Sequence, residues 1–217
     1  MANIDDLVAT LAQDAAAVKP APHPFVLSFQ WMGAAAIYLA VLLIFSGPRP
    51  DLLDRLHNTW FVAEIVALLG IFIVTSLSTA LLAFPDLHQK RSLAFAPIVA
   101  FTLFLGVMFF AWRADSPPSP LPVHSFECTL SIALMTLLPA AWAFYSLRKF
   151  ASTHYRLAGS TALLSAFSVG ALWLRLHEET NSIAHLVEWH YLPMLFIGLG
   201  GLWLGKVLLK WRSIGTA

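Results

Sequence analysis

The sequence predicts an all-α polytopic membrane protein, in which a short N-terminal amphipathic helix precedes a six-transmembrane-helix bundle. Hydrophobic residues make up 59% of the 217-residue chain, and the mean hydropathy is +0.73. Charged residues make up 12% of the chain, whereas soluble domains carry about 25%. Six apolar stretches are each long enough, at about 20 residues, to cross a hydrocarbon layer of about 30 Å. Together these features exclude an ordinary soluble domain.

The N-terminal arm, residues 1–26, is the only stretch of useful length that belongs in water. Its apolar residues recur at steps of three and four, the spacing of one face of an α-helix: Ile4, Leu7, Val8, Leu11, Ala15 and Val18. Asn3 is a suitable N-cap, and Asp5 and Asp6 lie in the first turn, where the helix dipole favours carboxylates. The pattern ends at a run of prolines that cannot continue a helix: Pro20, Pro22 and Pro24.

A helix this short is marginal in water, so its apolar stripe needs another surface to lie on. Helices that bind anionic lipid usually carry Lys and Arg on the polar face. This arm carries Asp5, Asp6 and Asp14 instead, so a groove in a partner protein is the better fit. A frayed terminal segment without a function is the alternative.

The predicted transmembrane domain covers residues 27–212. Its spans run over residues 27–46, 60–84, 93–112, 128–147, 157–174 and 189–209. Tryptophans lie at or near the span ends, where indoles favour the headgroup region: Trp31, Trp60, Trp112, Trp173, Trp189 and Trp211. The loops are short, and the longest, residues 113–127, is rich in proline. This organisation excludes a large catalytic domain outside the membrane.

The basic residues predict the orientation. With six spans, both termini lie on the same side, which receives nine basic residues: Lys19, Lys90, Arg91, Arg148, Lys149, Arg156, Lys206, Lys210 and Arg212. The other side receives four: Arg49, Arg55, Arg113 and Arg175. Because cytoplasmic loops carry the excess of Lys and Arg, we expect both termini in the cytoplasm and lipid around the bundle. The net charge of +1 and the lack of a basic run give no indication of direct nucleic-acid binding.

Polar groups gather at the outer ends of the predicted helices. The candidate sensing or metal-binding residues are Glu64, Glu127, Cys128, His177, Glu178 and His190, with His124, His185 and Glu188 nearby. Thiolate, imidazole and carboxylate are the ligands that zinc and similar ions prefer. Their spacing matches no tight metal signature, such as two histidines at i, i+4 with a glutamate between them. His185, Glu188 and His190 could share part of one helix face, although His185 and His190 are five residues apart, which fits poorly. No cofactor is therefore predicted firmly, and a divalent metal ion is the one alternative.

Each of these residues also has a simpler interpretation. Glu64 would be costly in a span unless it bonded a neighbouring helix. Cys128 could be a small packed side chain, and as the only cysteine it cannot form an intrachain disulfide. The loop histidines and glutamates could form a solvated face. Enzymatic activity finds little support, although a membrane-embedded metal or redox enzyme using the outer Cys/His/Glu cluster is the alternative, as is a structural membrane subunit.

Several short motifs follow one another in a characteristic order. The second span exits at Ala80–Pro85, Glu127-Cys128 opens the fourth, and Pro139 lies within it. Leu176-His177 and Trp189-His190 follow, and a glycine-rich segment, residues 201–205, precedes the end of the chain. In this order and spacing, over nearly its whole length, the chain resembles the NrsF-type membrane anti-sigma factors of bacteria.

The resemblance implies a non-enzymatic integral inner-membrane protein. Such a protein would sequester an extracytoplasmic-function sigma factor through its cytoplasmic arm and release it on a periplasmic-side signal. It assigns sigma binding to the arm and sensing to Cys128. Many members of the family have a second cysteine after the histidine, where this chain has Glu178. Cys128 could therefore act with Glu178 and His177 as metal ligands, or pair between chains, or the input could differ.

Overall fold

A computed structural model of the protein describes residues 4–14, 21–85, 91–114, 126–150 and 152–210. Within these ranges the regular elements are helices and no strand is present, so the all-α prediction is confirmed. In chain order the α-helices are α1 (Ile4–Asp14), α2 (Pro24–Ser46), α3 (Leu52–Arg55), α4 (Thr59–Leu82), α5 (Arg91–Ala114), α6 (Phe126–Leu147), α7 (Tyr155–His177), α8 (Ile183–His185) and α9 (Leu192–Leu208). A π-helix, Leu186–Tyr191, joins α8 to α9.

Six of these elements are long and apolar enough to cross a membrane, as predicted. They are α2, α4, α5, α6, α7 and the continuous segment Ile183–Leu208, which contains α8, the π-helix and α9. Most bounds differ from the sequence prediction by one to three residues, and two of the differences lie at the same end of the bundle. The fifth span extends to His177 instead of residue 174, and the sixth begins at Ile183 instead of residue 189. Both extensions lie at the bundle end that holds Cys128, which we call the Cys128 end.

Local sequence signals account for several helix ends. The side chain of Asn58 accepts hydrogen bonds from the backbone N–H groups of Trp60 and Phe61, both at 3.0 Å, and so caps α4. The side chain of Ser182 accepts a hydrogen bond from the backbone N–H of His185 and caps α8. Helix α2 ends at Gly47, whose φ of +77° is unfavourable for residues with a side chain. These caps fix the loops at the Cys128 end.

Helices α7 and α4 are the centre of the bundle. In the 18-residue apolar segment of α7, 72% of the residues are buried, and in that of α4 56% are buried. The corresponding fraction is 17% in α2 and 17% in α5. Helix α7 packs against α2, α4, α6 and α9, whereas α5 packs mainly against α4. The outer faces carry large exposed apolar side chains such as Phe45, Ile98 and Phe196, which is typical of helices that face lipid. Residues on α7 are therefore the ones most able to influence the whole bundle.

Small residues allow α7 and α9 to approach closely. A Cβ atom built on Gly201 would lie 2.6 Å from the Cα of Ser160, which is too close for any real side chain. A Cβ atom on the adjacent Gly200 would meet nothing within 4 Å. Such close contacts between small residues are the usual way in which membrane helices associate.

We therefore expect Gly201→Ala to lower the thermal unfolding temperature of the protein in detergent. Its methyl group must push the two backbones apart, and overpacking of this kind costs about 1–3 kcal/mol. Gly200→Ala is the matched control: it adds the same methyl group one residue away into open space, so the unfolding temperature should be unchanged or raised. Equal behaviour of the two variants would contradict the close α7–α9 contact.

Candidate functional site

The first candidate site is the apolar stripe of α1. Its side chains Ile4, Leu7 and Val8 are 75%, 57% and 58% exposed. The side chain of Leu11 and all of Ala15 and Val18, the other three residues predicted for this stripe, lie outside what the structure describes. Asp5 and Asp6 lie in the first turn, as predicted. Helix α1 therefore presents apolar surface that remains available for a partner.

The second candidate site is a cluster of four potential metal ligands at the Cys128 end. Cys128 lies in the first turn of α6, Glu178 directly follows α7, His185 ends α8, and His190 lies in the π-helix. Their ligand atoms, one thiol sulfur, one carboxylate oxygen and one nitrogen from each imidazole, all lie within 4.8 Å of one another. The structure thus brings together three of the predicted residues and adds His185.

The π-helix explains why His185 joins this cluster. Five residues correspond to about 1.4 turns of an α-helix, which would direct the two imidazoles to different faces. A π-helix is wound with i→i+5 hydrogen bonds, so a residue five positions on lies over the first. The two imidazole centroids are accordingly 5.1 Å apart. The spacing that fits an α-helix poorly fits this segment well.

Hydrogen bonds position only part of the cluster. The Cys128 thiol donates to Glu178 Oε1 at 3.4 Å, and the hydroxyl of Thr180 donates to the same oxygen at 2.6 Å. His190 Nε2 lies 3.6 Å from Glu178 Oε2. His185 and His190 are each 1% exposed, yet none of their four ring nitrogens has a hydrogen-bond partner among the described residues. Buried polar atoms are rarely left in this state.

Glu64 belongs to a separate buried network beside the cluster. Its carboxylate accepts a hydrogen bond from Arg175 Nε at 2.8 Å and another from the hydroxyl of Tyr191. Glu64 and Arg175 are 1% and 4% exposed, and the Arg175 guanidinium also lies over the ring of Phe61, 4.8 Å from its centroid. An ionisable residue inside a membrane bundle is expected to have such partners. Glu64 thus links α4 to α7 and to the π-helix.

The remaining predicted residues lie outside the group of four. Glu127 is exposed on the first turn of α6. The Nδ1 atom of His177 lies 2.8 Å from the carbonyl oxygen of Gly47, and its ring stacks on Trp173. His124 falls in residues 115–125, outside the described part of the chain. His177 therefore contributes to a loop contact. The cluster of potential metal ligands contains His185 and not the predicted His177.

Arg49, which the sequence did not single out, holds the loops of this end together. It is 1% exposed and donates hydrogen bonds to the Asp51 carboxylate at 2.6 and 2.9 Å, and to Asn181 Oδ1 at 3.0 Å. The hydrogen bonds from Arg49 and then Arg55 hold the pKa of Asp51 well below its ordinary value. Because the pKa is lowered in the folded state, this stabilising contribution is present in full at neutral pH. It is lost progressively as the pH falls from the ordinary pKa of an Asp carboxyl toward the lowered pKa.

Comparison with known proteins finds relatives over nearly the whole chain. Residues 11–211 match the profile of the family described as "NrsF: Negative regulator of sigma F". The chain is 28% identical over 214 residues to Anti-sigma-F factor NrsF of Caulobacter vibrioides, an alignment that covers 95% of this chain and 99% of that protein. It is also 28% identical over 223 residues to Probable anti-sigma-F factor NrsF of Azospira oryzae, with the same coverage. No solved structure matches the chain.

Proposed function

Because the chain belongs to the NrsF family of negative regulators of sigma F, we propose that it sequesters an extracytoplasmic-function sigma factor at the bacterial inner membrane. In this proposal the protein is a regulator and not an enzyme. The binding element is α1, and the membrane bundle holds α1 at the cytoplasmic surface. A signal that reaches the opposite side releases the sigma factor.

The exposed stripe of α1 is the observation that carries this proposal. Ile4, Leu7 and Val8 expose apolar surface on a helix of only 11 residues, Ile4–Asp14. Isolated helices of this length are marginal in water, and an amphipathic helix gains stability by placing its apolar face in a groove of another protein. The names of the two relatives describe anti-sigma-F factors, which supports a sigma factor as the partner of α1.

The proposed orientation places both termini in the cytoplasm. It rests on the excess of Lys and Arg on the side of the termini and on the even number of apolar helices. The Cys128 end then faces the periplasm, and lipid surrounds the bundle. The sigma factor itself contacts nucleic acid, and this chain does not need to.

The input of the proposed signal is the Cys128 end. Cys128, Glu178 and His190 lie together there, and Glu64 lies beside them in the network with Arg175. A change at this end can reach α1 only if the bundle has two arrangements that differ in their affinity for the sigma factor. Helix α7 is suited to transmit it, because it is the most buried helix and ends beside Glu178.

The rival function, a membrane-embedded metal or redox enzyme, would use the same cluster. Catalytic zinc sites keep one coordination position open for water or substrate, with three protein ligands. This cluster offers four protein ligands. A structural or sensory role is therefore favoured over catalysis.

The experiment that tests the proposed function is mass spectrometry of the proteins that co-purify with the full-length chain in mild detergent. The comparison is a chain that lacks residues 1–20. We expect a sigma factor with the full-length chain and none with the truncated one, because the truncation removes α1. A sigma factor that persists after truncation would move the binding element elsewhere. Its absence from both samples would contradict the proposed function.

A further inference from the structure

We propose that Cys128, Glu178, His185 and His190 form a closed site for one divalent metal ion of the zinc class. Zinc in proteins is bound by thiolate, imidazole and carboxylate groups, at about 2.0–2.3 Å, and structural zinc sites have four such ligands in tetrahedral geometry. The four side chains offer one thiolate, one carboxylate and two imidazoles, with all ligand atoms within 4.8 Å of one another. Number and type of ligands therefore both fit.

The distances between ligand atoms also fit. At these bond lengths two ligands of a tetrahedral zinc ion lie about 3.3–3.8 Å apart. His190 Nε2 lies 3.6 Å from Glu178 Oε2, the oxygen without a hydrogen-bond partner among the described residues, and Cys128 Sγ lies 3.4 Å from the other oxygen of the same carboxylate, Oε1. The other distances between the four ligand atoms are all within 4.8 Å. If these distances shortened by about 1 Å, the four atoms would form a tetrahedron around one ion.

The buried histidines provide an independent observation that a ligand belongs here. His185 and His190 are each 1% exposed, and their ring nitrogens have no hydrogen-bond partner in the described part of the chain. Glu178 Oε2 is likewise buried and unpartnered there. A cation between them would accept one lone pair from each ring and neutralise the carboxylate. Its arrival displaces the thiol proton of Cys128 to solvent, because only the thiolate binds metal.

The backbone is arranged to assemble this site from three elements. Cys128 comes from α6, Glu178 from the residue after α7, and the two histidines from the sixth span. The π-helix Leu186–Tyr191 aligns the histidines, and π-helices often mark functional sites. A bound ion would tie α6, α7 and the sixth span together at the Cys128 end. With all four positions taken by protein, it leaves no open position for a substrate.

The test is metal binding by the full-length protein in mild detergent, after treatment with a chelator, by titration with ZnCl₂ or CoCl₂. We expect one ion per chain, and with Co²⁺ a near-ultraviolet thiolate-to-cobalt absorption band. Cys128→Ser should remove that band. His185→Asn or His190→Asn should weaken Zn²⁺ binding by at least the roughly 100-fold that the loss of a residue orienting a metal ligand can cost, because each removes a ligand itself. Wild-type protein that binds neither ion stoichiometrically would overturn the proposal, whatever the variants do.

His57 at the same end of the bundle provides a matched control. His57→Asn removes an exposed imidazole that does not belong to the group of four. This variant should bind Zn²⁺ and Co²⁺ like the wild type. Binding that is lost equally in the control, or retained when Cys128 and His190 are replaced, would overturn the assignment. Because the chain is measured alone, the result is independent of whether α1 binds a sigma factor.

Discussion

Replacing both Leu7 and Leu11 by aspartate should release the sigma factor and switch on its target genes. Both residues belong to the predicted apolar stripe, and Leu7 is 57% exposed, so the bundle should fold normally in the variant. A carboxylate forced into an apolar groove without a partner costs several kcal/mol, and each 1.4 kcal/mol is a tenfold change in affinity. We expect the affinity for the sigma factor to fall by about 100-fold or more. Transcription of a sigma-dependent reporter measures the result in cells.

The matched control places the same two charges on the opposite face of α1. Ala9 and Gln13 are both exposed, and at 100° per residue they lie about 180° from the stripe. Ala9→Asp with Gln13→Asp changes net charge and helix propensity similarly, but leaves the stripe intact. Repression should persist in this control. Repression that also persists in the Leu7→Asp, Leu11→Asp variant, at normal protein levels, would show that the stripe does not hold the sigma factor.

The sequence was sufficient to predict six helices long and apolar enough to cross a membrane, and to predict the family. Helix number follows from the length of apolar stretches alone, which does not depend on how the helices pack, and all six were predicted. The NrsF resemblance rested on the order of weak motifs, and the match over residues 11–211 confirms it. Properties that depend on packing were harder to predict.

The ends of the fifth and sixth spans show why. A charged residue at position 175 ends an apolar stretch in any sequence window, yet Arg175 is buried because Glu64 on another helix neutralises it. Residues 183–188 contain His185 and Glu188, and for the same reason the sequence predicts that they lie outside the spans. The sequence does contain one signal for this pairing. A carboxylate and a guanidinium in two different spans, Glu64 and Arg175, indicate an ion pair, because each charge is costly in lipid without the other.

The metal-ligand cluster was predicted only in part. Cys128, Glu178 and His190 were chosen for their chemistry, and the structure brings them together. The five-residue spacing of His185 and His190 fits one face of an α-helix poorly, so the sequence alone gives His185 little support as a ligand. The π-helix removes that objection, but hydrophobic periodicity gives no indication of a single π-turn. His177 was included because of its position in the sequence, and its ring instead stacks on Trp173.

Replacing Arg175 by methionine should strongly destabilise the bundle. The substitution keeps most of the side-chain volume but leaves the Glu64 carboxylate buried at 1% exposure, with the Tyr191 hydroxyl as its remaining partner. Breaking a buried ion pair by removing one partner costs about 3–5 kcal/mol. For a chain of this size that corresponds to a fall of roughly 10 °C in the unfolding temperature. Thermal unfolding in mild detergent is the measurement.

The double variant Glu64→Leu, Arg175→Met is the control for this effect. It removes both charges, so no unpaired ion remains in the core, and replacing a buried pair by apolar residues is often neutral. The unfolding temperature should recover most of the loss. A double variant as unstable as Arg175→Met would mean that packing around Arg175, and not the unpaired carboxylate, is responsible.

The same double variant distinguishes two roles of the Glu64–Arg175 ion pair: stabilising the bundle, and holding residues of the proposed metal site in position. Arg175 donates a hydrogen bond to the carbonyl oxygen of Thr180 at 2.8 Å, and the hydroxyl of Thr180 donates to Glu178. Tyr191, which bonds Glu64, directly follows His190. Two residues of the proposed metal site, Glu178 and His190, are therefore connected to this network: Glu178 through Thr180, and His190 through its chain neighbour Tyr191. We expect the double variant to regain its unfolding temperature but still bind Zn²⁺ about 10–100-fold more weakly than the wild type, as when residues that orient metal ligands are removed. If the double variant regained both the unfolding temperature and the Zn²⁺ affinity of the wild type, Glu178 and His190 would hold their positions without the Glu64–Arg175 ion pair.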